Sequence, residues 1–85
     1  MPKQKKQGTV NRTEKPRTYS VFFQRESNGV YTAHIPALEI VTEGESLEEA
    51  KEMAIDAVAG WIEAARELGK PIPDDLPTAQ VEVAL

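Results

Sequence analysis

A chain of 85 residues can build one small domain, and the lack of cysteine excludes disulfides, thiolate metal sites and cysteine nucleophiles. The sequence contains no apolar run near the roughly 18 residues of a membrane span and no apolar signal-peptide centre, so we expect a cytoplasmic protein. The formal net charge of −4 hides a division along the chain, because a basic start precedes an acidic remainder.

Residues 1–18 carry six basic side chains against one acidic side chain, whereas residues 19–85 carry thirteen acidic side chains against four basic ones. The start has few apolar residues, so residues 1–17 are predicted to form a disordered basic arm and residues 18–85 a folded domain. Two interpretations of the arm stay open: a solvated tail, or an arm that binds nucleic acid or a protein partner. The lack of an aromatic residue that could stack on bases favours the tail.

Strand periodicity begins after the arm and predicts a β-hairpin. The apolar alternation runs through Tyr19, Val21 and Phe23 and, after the turn residues 27–29, through Tyr31, Ala33 and Ile35. A two-residue loop would set Phe23 opposite His34 and divide the apolar residues between both faces. A three-residue loop, with Gly29 at positive φ, sets Phe23 opposite Ala33 and gathers them on one face. We therefore expect the three-residue loop.

A third strand and one long helix follow the hairpin. Pro36 ends the second strand, and a short strand is expected over residues 39–42 before Gly44. Ser46 and Glu49 form the pattern of a capping box, and Gly69 is placed to cap the helix end. One apolar stripe is predicted along the helix at Leu47, Ala50, Ala54, Val58, Trp61, Ala65 and Leu68.

The last segment, residues 79–85, alternates again and predicts a fourth strand. The element order is therefore β-β-β-α-β, an α+β fold. A right-handed crossover places the last strand beside the first, which gives a mixed sheet of order 3-2-1-4 with one helix on one face. This arrangement matches a truncated ribonuclease H-like core. The second sheet face is left uncovered, and an uncovered face with an aromatic residue suggests association. It carries Ser20, Phe22, Gln24, Thr32 and His34.

The residues that could carry chemistry are sparse. A metal-dependent nuclease of this fold needs convergent carboxylates, yet the first strand has no acid at its centre. Glu52 and Asp56 lie one helical turn apart and are expected to belong to a solvated face. His34 is the only histidine and has no partner for a catalytic triad or a zinc site. We expect no catalytic residue, no metal, no cofactor and no enzymatic activity, although a degenerate nuclease is kept as an alternative.

Nearly the whole chain after Arg17 resembles the HicB antitoxin family, and residues 31–73 are the most informative stretch. The likeness is carried by Tyr31, Ala33, Ile35 and Pro36, by the strand-to-helix junction TEGESLEEA at 42–50, and by the helix exit at 69–73. This resemblance implies a HicB-like domain over 18–85 that binds a small basic ribonuclease, a HicA-like mRNA interferase, and neutralises it by covering its active site. Many family members carry a C-terminal DNA-binding module. This sequence ends after the last predicted strand and is expected to be a short, single-domain member without one.

The expected partners are the toxin and further copies of the chain, as a homodimer or homotetramer. Candidate contacts with the partner or between copies lie on the uncovered face and on the helix exterior: Phe22, Thr32, His34, Glu52 and Asp56. The alternative function is a stand-alone nucleic-acid-binding module that uses the basic arm, which would give a strongly salt-dependent affinity.

Overall fold

The computed structural model describes residues 16–84, which form an α+β domain with one sheet and one long helix. The elements in chain order are β1 (Phe22–Arg25), β2 (Tyr31–Ile35), a 3-10 turn (Pro36–Leu38), β3 (Ile40–Gly44) and α1 (Leu47–Leu68). The three strands are antiparallel and lie in the order β1-β2-β3. The predicted α+β class with one helix is confirmed. The predicted arm lies outside the described residues except for Pro16 and Arg17, both of which are exposed.

The hairpin between β1 and β2 has the predicted register. Phe23 lies opposite Ala33, and the turn over residues 27–29 closes with a hydrogen bond from the Glu26 N–H to the Val30 carbonyl at 2.7 Å. Gly29 has a φ of 90°, a backbone conformation that glycine adopts readily and residues with a side chain rarely adopt. The three-residue loop is therefore confirmed, and with it the prediction that one face of the hairpin gathers the apolar residues.

The connection from β2 to β3 is a single 3-10 turn that begins at Pro36. This confirms the prediction that Pro36 ends the second strand. Glu39 was expected within the third strand, but its φ of 56° is left-handed, so β3 begins one residue later at Ile40. Leu38 was interpreted only as a turn residue. It is buried and belongs to the core, because the turn folds back under the helix side of the sheet.

The ends of α1 follow the predicted caps with one difference. The Ser46 hydroxyl accepts from the Glu49 N–H at 3.1 Å, but the Glu49 carboxylate accepts from the N–H of Glu45, at 2.6 Å, rather than from Ser46. At the other end Gly69 has a φ of 69° and donates its N–H to the last carbonyls of the helix. Both termini therefore have partners for backbone groups that a helix leaves unpaired.

The core lies between the sheet and the helix. Its buried members are Ala33, Ile35, Leu38 and Ala54, packed against Tyr19, Val21, Ile40, Val58 and Trp61. The helix lies mainly over β3 and β2 and hardly over β1. Gly44 permits this close approach, since a Cβ there would lie 2.5 Å from the Ala50 backbone nitrogen.

The predicted helix stripe is confirmed in its middle and wrong at its ends. Ala50, Ala54 and Ala65 are buried, and Val58 and Trp61 pack on the core, whereas Leu47 and Leu68 are exposed. The reason is length. A helix of 22 residues spans about 33 Å, while strands of four and five residues span about 17 Å at most, so the sheet cannot cover the whole helix.

The predicted fourth strand is absent from residues 79–84, which carry no strand, and Leu85 lies outside the described residues. The order β1-β2-β3 agrees with three of the four predicted positions, and the full order 3-2-1-4 is not seen. Val81 and Val83 are 84% and 66% exposed. An alternating pattern is a local property, whereas a strand also needs a sheet edge within hydrogen-bonding reach, and residues 79–84 pair with no strand of the described chain.

Candidate functional site

The sheet face that points away from the helix forms the first candidate surface, which we call the open face. His34 lies at its centre, opposite Phe22 on β1 and Val41 on β3. Its neighbours along β2, Ala33 and Ile35, are fully buried on the helix side, so strand alternation places these three side chains on the other side. Phe22 is 52% exposed and Val41 is 62% exposed. The open face therefore presents exposed apolar side chains on both outer strands, with His34 between them on β2.

Acidic groups border the open face at one end. Thr32 lies two residues from His34 and opposite Glu43 on β3. The Thr32 hydroxyl donates a hydrogen bond to the carboxylate of Glu26, which is only partly exposed. The face thus combines an apolar centre with an acidic margin, and both come from residues whose backbone is fixed by strand pairing or by the hairpin turn.

The structure brings three of the predicted contact residues together and separates the other two. Phe22, Thr32 and His34 share the open face, whereas Glu52 and Asp56 are exposed on the helix, on the opposite side of the sheet. Val41 was not among the predicted contact residues. It could have been predicted, because the residue opposite His34 on the third strand must lie on the same sheet face as His34. Ser20 was expected on the open face and instead binds an acidic residue near the C-terminus.

Glu52 and Asp56 belong to a continuous acidic side of α1. Positions four and seven residues apart return to the same side of a helix, and this spacing places two further glutamates beside them. All four side chains are exposed, and the last two also line the edge of the groove described below: Glu52, Asp56, Glu63 and Glu67.

A groove lies on the helix side of the sheet, where α1 fails to cover β1. It has a volume of about 1090 Å³. Val21 and Phe23 form one wall, and Ile55, Val58 and Ile62 form the other. The charged side chains that line it are Arg17, Lys51, Glu63, Arg66 and Glu67. Ile55 and Ile62 were missed by the sequence analysis because they flank the predicted stripe, one position along from Ala54 and Trp61.

A corner of hydrogen bonds holds the chain after the helix beside the chain before β1. The Tyr19 hydroxyl donates to the Pro73 carbonyl at 2.5 Å. Asp75 accepts from both the Ser20 hydroxyl, at 2.7 Å, and the Ser20 N–H, at 3.0 Å. These bonds from Ser20 favour the charged carboxylate and lower the pKa of Asp75. The corner therefore fixes where the C-terminal segment leaves the domain.

Comparison of this chain with family models, with curated proteins and with solved structures finds no match. The resemblance to HicB antitoxins therefore stays a prediction from the residues quoted above. Within residues 16–84 no three potential metal-binding side chains of His, Cys, Asp or Glu lie together. No helix in the described part of the chain is both long and apolar enough to cross a membrane.

Proposed function

We propose that this protein is a cytoplasmic HicB-like antitoxin that binds a small basic ribonuclease of the HicA-like mRNA interferase kind and blocks its active site. The observation that carries the proposal is the open face, which has exposed apolar residues at its centre and carboxylates at its margin. We propose further that the domain is a truncated ribonuclease H-like fold. Its three-stranded sheet would be completed by a fourth strand at the free edge of β1, in the order 3-2-1-4.

The open face suits a protein partner better than a small molecule. Its apolar groups, Phe22 and Val41, lie on a sheet surface rather than in a pocket, and His34 between them can both donate and accept a hydrogen bond. Interfaces between proteins commonly combine an apolar, aromatic centre with a polar margin. Glu26 and Glu43 at the margin would pair with lysine and arginine side chains of a basic partner.

Charge supports the same type of partner. Residues 19–85 carry thirteen acidic and four basic side chains, a formal charge of −9. A ribonuclease that holds RNA phosphates needs a basic surface, so the two proteins attract each other before contact. The acidic side of α1 around Glu52 and Asp56 contributes to this attraction without lying in the proposed contact.

Inhibition by this route requires no reaction of the antitoxin. A bound open face excludes RNA from the basic surface of the toxin, so the loss of cleavage should follow the fraction of toxin bound. One antitoxin domain would be needed for each active site, and cleavage should fall to zero at a fixed stoichiometry with no added metal ion.

The test begins with a search for a small basic protein encoded beside this chain and then uses that protein in an RNA cleavage assay. The parent chain should abolish cleavage stoichiometrically, and Phe22→Glu should weaken binding by at least tenfold, since about 1.4 kcal/mol of lost contact energy is a factor of ten. Met53→Glu is the matched control, because Met53 is also partly exposed but lies on the helix. A neighbouring protein that neither binds the chain nor loses activity would refute the proposal. Salt-sensitive RNA binding that disappears on removal of residues 1–17 would favour the nucleic-acid alternative instead.

A further inference from the structure

The free edge of β1 and the groove beside it form an incomplete half of the domain. β1 pairs only with β2 in the described chain, so the backbone groups along its outer edge have no strand partner. The helix does not cover the adjoining side chains, and Phe23 stays 36% exposed. An unpaired edge next to an apolar groove is a surface to which a further strand can add.

The C-terminal segment, residues 78–84, has the complementary property. Ala79, Val81 and Val83 alternate with Gln80 and Glu82, as in a strand with one apolar side. Every residue of the segment is exposed, so the segment has an apolar side and no surface to bury it on. The chain therefore has a segment with a strand-like pattern that pairs with no sheet, and a sheet edge that pairs with no strand.

We propose that two copies of the chain exchange this segment, so that residues 78–84 of one copy pair with the β1 edge of the other and cover its groove. The corner of hydrogen bonds brings the segment to the start of β1, where Asp75 binds Ser20. Beyond that point the segment leaves its own domain, because Val81 is 84% exposed and residues 78–84 form no strand there. A segment that projects from its own domain is available to a second one.

Pattern and symmetry both fit a second copy as the occupant. The side of the segment formed by Ala79, Val81 and Val83 carries no charge. It therefore suits the groove, whose two walls are apolar. Exchange between two copies is reciprocal, and a two-fold pair leaves neither a β1 edge nor a segment without a partner. This interface lies on the helix side of the sheet, so it goes beyond the proposed function and leaves the open face uncovered.

The first test is disulfide cross-linking. The chain contains no cysteine, so any disulfide must form between the introduced residues. A chain with Ala59→Cys in the groove is mixed with a chain with Val81→Cys in the segment, and the mixture is oxidised gently. We expect a disulfide between the two different chains. Gln80→Cys is the matched control on the other side of the segment and should cross-link far less. A third chain carries both Ala59→Cys and Val81→Cys. If its two cysteines form a disulfide only within one molecule, the segment covers its own groove and the exchange is overturned.

The second test is sedimentation of the parent chain and of single variants, without any toxin present. The parent should be a dimer at micromolar concentration, and Val81→Asp should shift it to monomer while its far-ultraviolet spectrum is kept. Phe22→Glu should stay dimeric, because the open face is not in this interface. A monomeric parent, a dimeric Val81→Asp variant or a monomeric Phe22→Glu variant would each overturn the proposal. None of these outcomes depends on whether the protein is an antitoxin.

Discussion

Asp75 is the residue whose ionisation is most clearly tied to the fold. Both bonds from Ser20 go to the same carboxylate oxygen, and they exist only when the chain after the helix lies beside the chain before β1. The charged carboxylate is the better acceptor, so its pKa is lower in the folded than in the unfolded chain. Folding and ionisation of this group therefore stabilise each other.

This linkage predicts a pH effect for Asp75→Asn. Because the pKa of Asp75 is lower in the folded chain, ionised Asp75 stabilises the fold at pH values above its unfolded pKa of about 3.9. This contribution to stability is lost as the pH falls through the folded pKa. The melting temperature of the parent should therefore fall more steeply than that of the variant below about pH 4. Asp74→Asn is the control, since Asp74 is exposed and forms only the ion pair with Arg17 at 3.8 Å. Parallel melting curves of parent and Asp75→Asn across this range would contradict the assignment.

Single residues were predictable where a local period governs them. Strand alternation assigned Ala33 and Ile35 to the core, and both are fully buried. Leu38 could not be assigned in this way, because a residue in a tight turn has no period and its burial depends on where the turn folds. The partner of Ser20 lies 55 positions away, and no local pattern of the sequence indicates such a contact.

At the level of elements, the junction of β3 and α1 depends on Gly44. The sequence indicated a glycine that ends a strand, and the structure gives a further reason for it. The first turn of the helix lies against the strand end, where a Cβ would lie 2.5 Å from the Ala50 nitrogen and 2.9 Å from its Cα. Backbone atoms of a capped helix cannot move away at low cost, so the strand and helix would have to separate.

Gly44→Ala should therefore destabilise the protein, by about 1–3 kcal/mol as for other overpacked sites. Gly60→Ala is the matched control, because Gly60 lies within α1 and has no atom within 4 Å of an added Cβ. That change should stabilise the helix by about 0.8–1 kcal/mol. Chemical denaturation of the two variants measures the difference. Equal effects of the two alanines would show that the close approach does not constrain the fold.

Element types and the hairpin register were predictable because several local signals agreed. The turn glycine, the apolar alternation and the helix caps all indicated the same boundaries. The helix ends were less predictable, since apolar periodicity continues through Leu47 and Leu68, although the short sheet cannot cover them. The partner edge of the last alternating segment was likewise inaccessible to a local pattern.

The whole molecule is strongly acidic outside its first residues. The exposed carboxylates of α1 lie on the opposite side of the sheet from the open face, so they act on an approaching partner through their field rather than by contact. In the proposed complex, the open face would determine how long the two proteins stay bound, and the overall charge would determine how quickly they associate. Of the candidate site, the sequence predicted both surfaces, including which sheet face the helix leaves uncovered. No local pattern indicates which of the two surfaces a partner would contact, because that depends on the shape of the partner as well.

Reversal of two helix charges tests this division. A Glu52→Lys, Asp56→Lys double variant should associate with the basic toxin more slowly, and its association rate should depend less on salt than that of the parent. Its dissociation rate should stay close to the parental value, and its melting temperature should change little because both residues are exposed. Stopped-flow mixing at several salt concentrations measures these rates. A changed dissociation rate with an unchanged association rate would place the helix inside the contact.

The corner formed by Tyr19, Ser20, Pro73 and Asp75 also has a consequence for the order of folding. The hairpin, β3 and the helix are successive in the chain and can assemble through short loops, whereas the corner joins residues 54 and 55 positions apart. Closing a long loop costs more entropy, so these bonds form late and open early. The native protein would then fray at the corner before its core unfolds, which frees the chain ends while the sheet and helix stay intact. Residues 78–84 already lie beyond the corner, so their exchange between copies would not have to wait for this fraying. An opened corner would instead no longer hold the segment at the start of β1, and exchanged copies would then separate more readily.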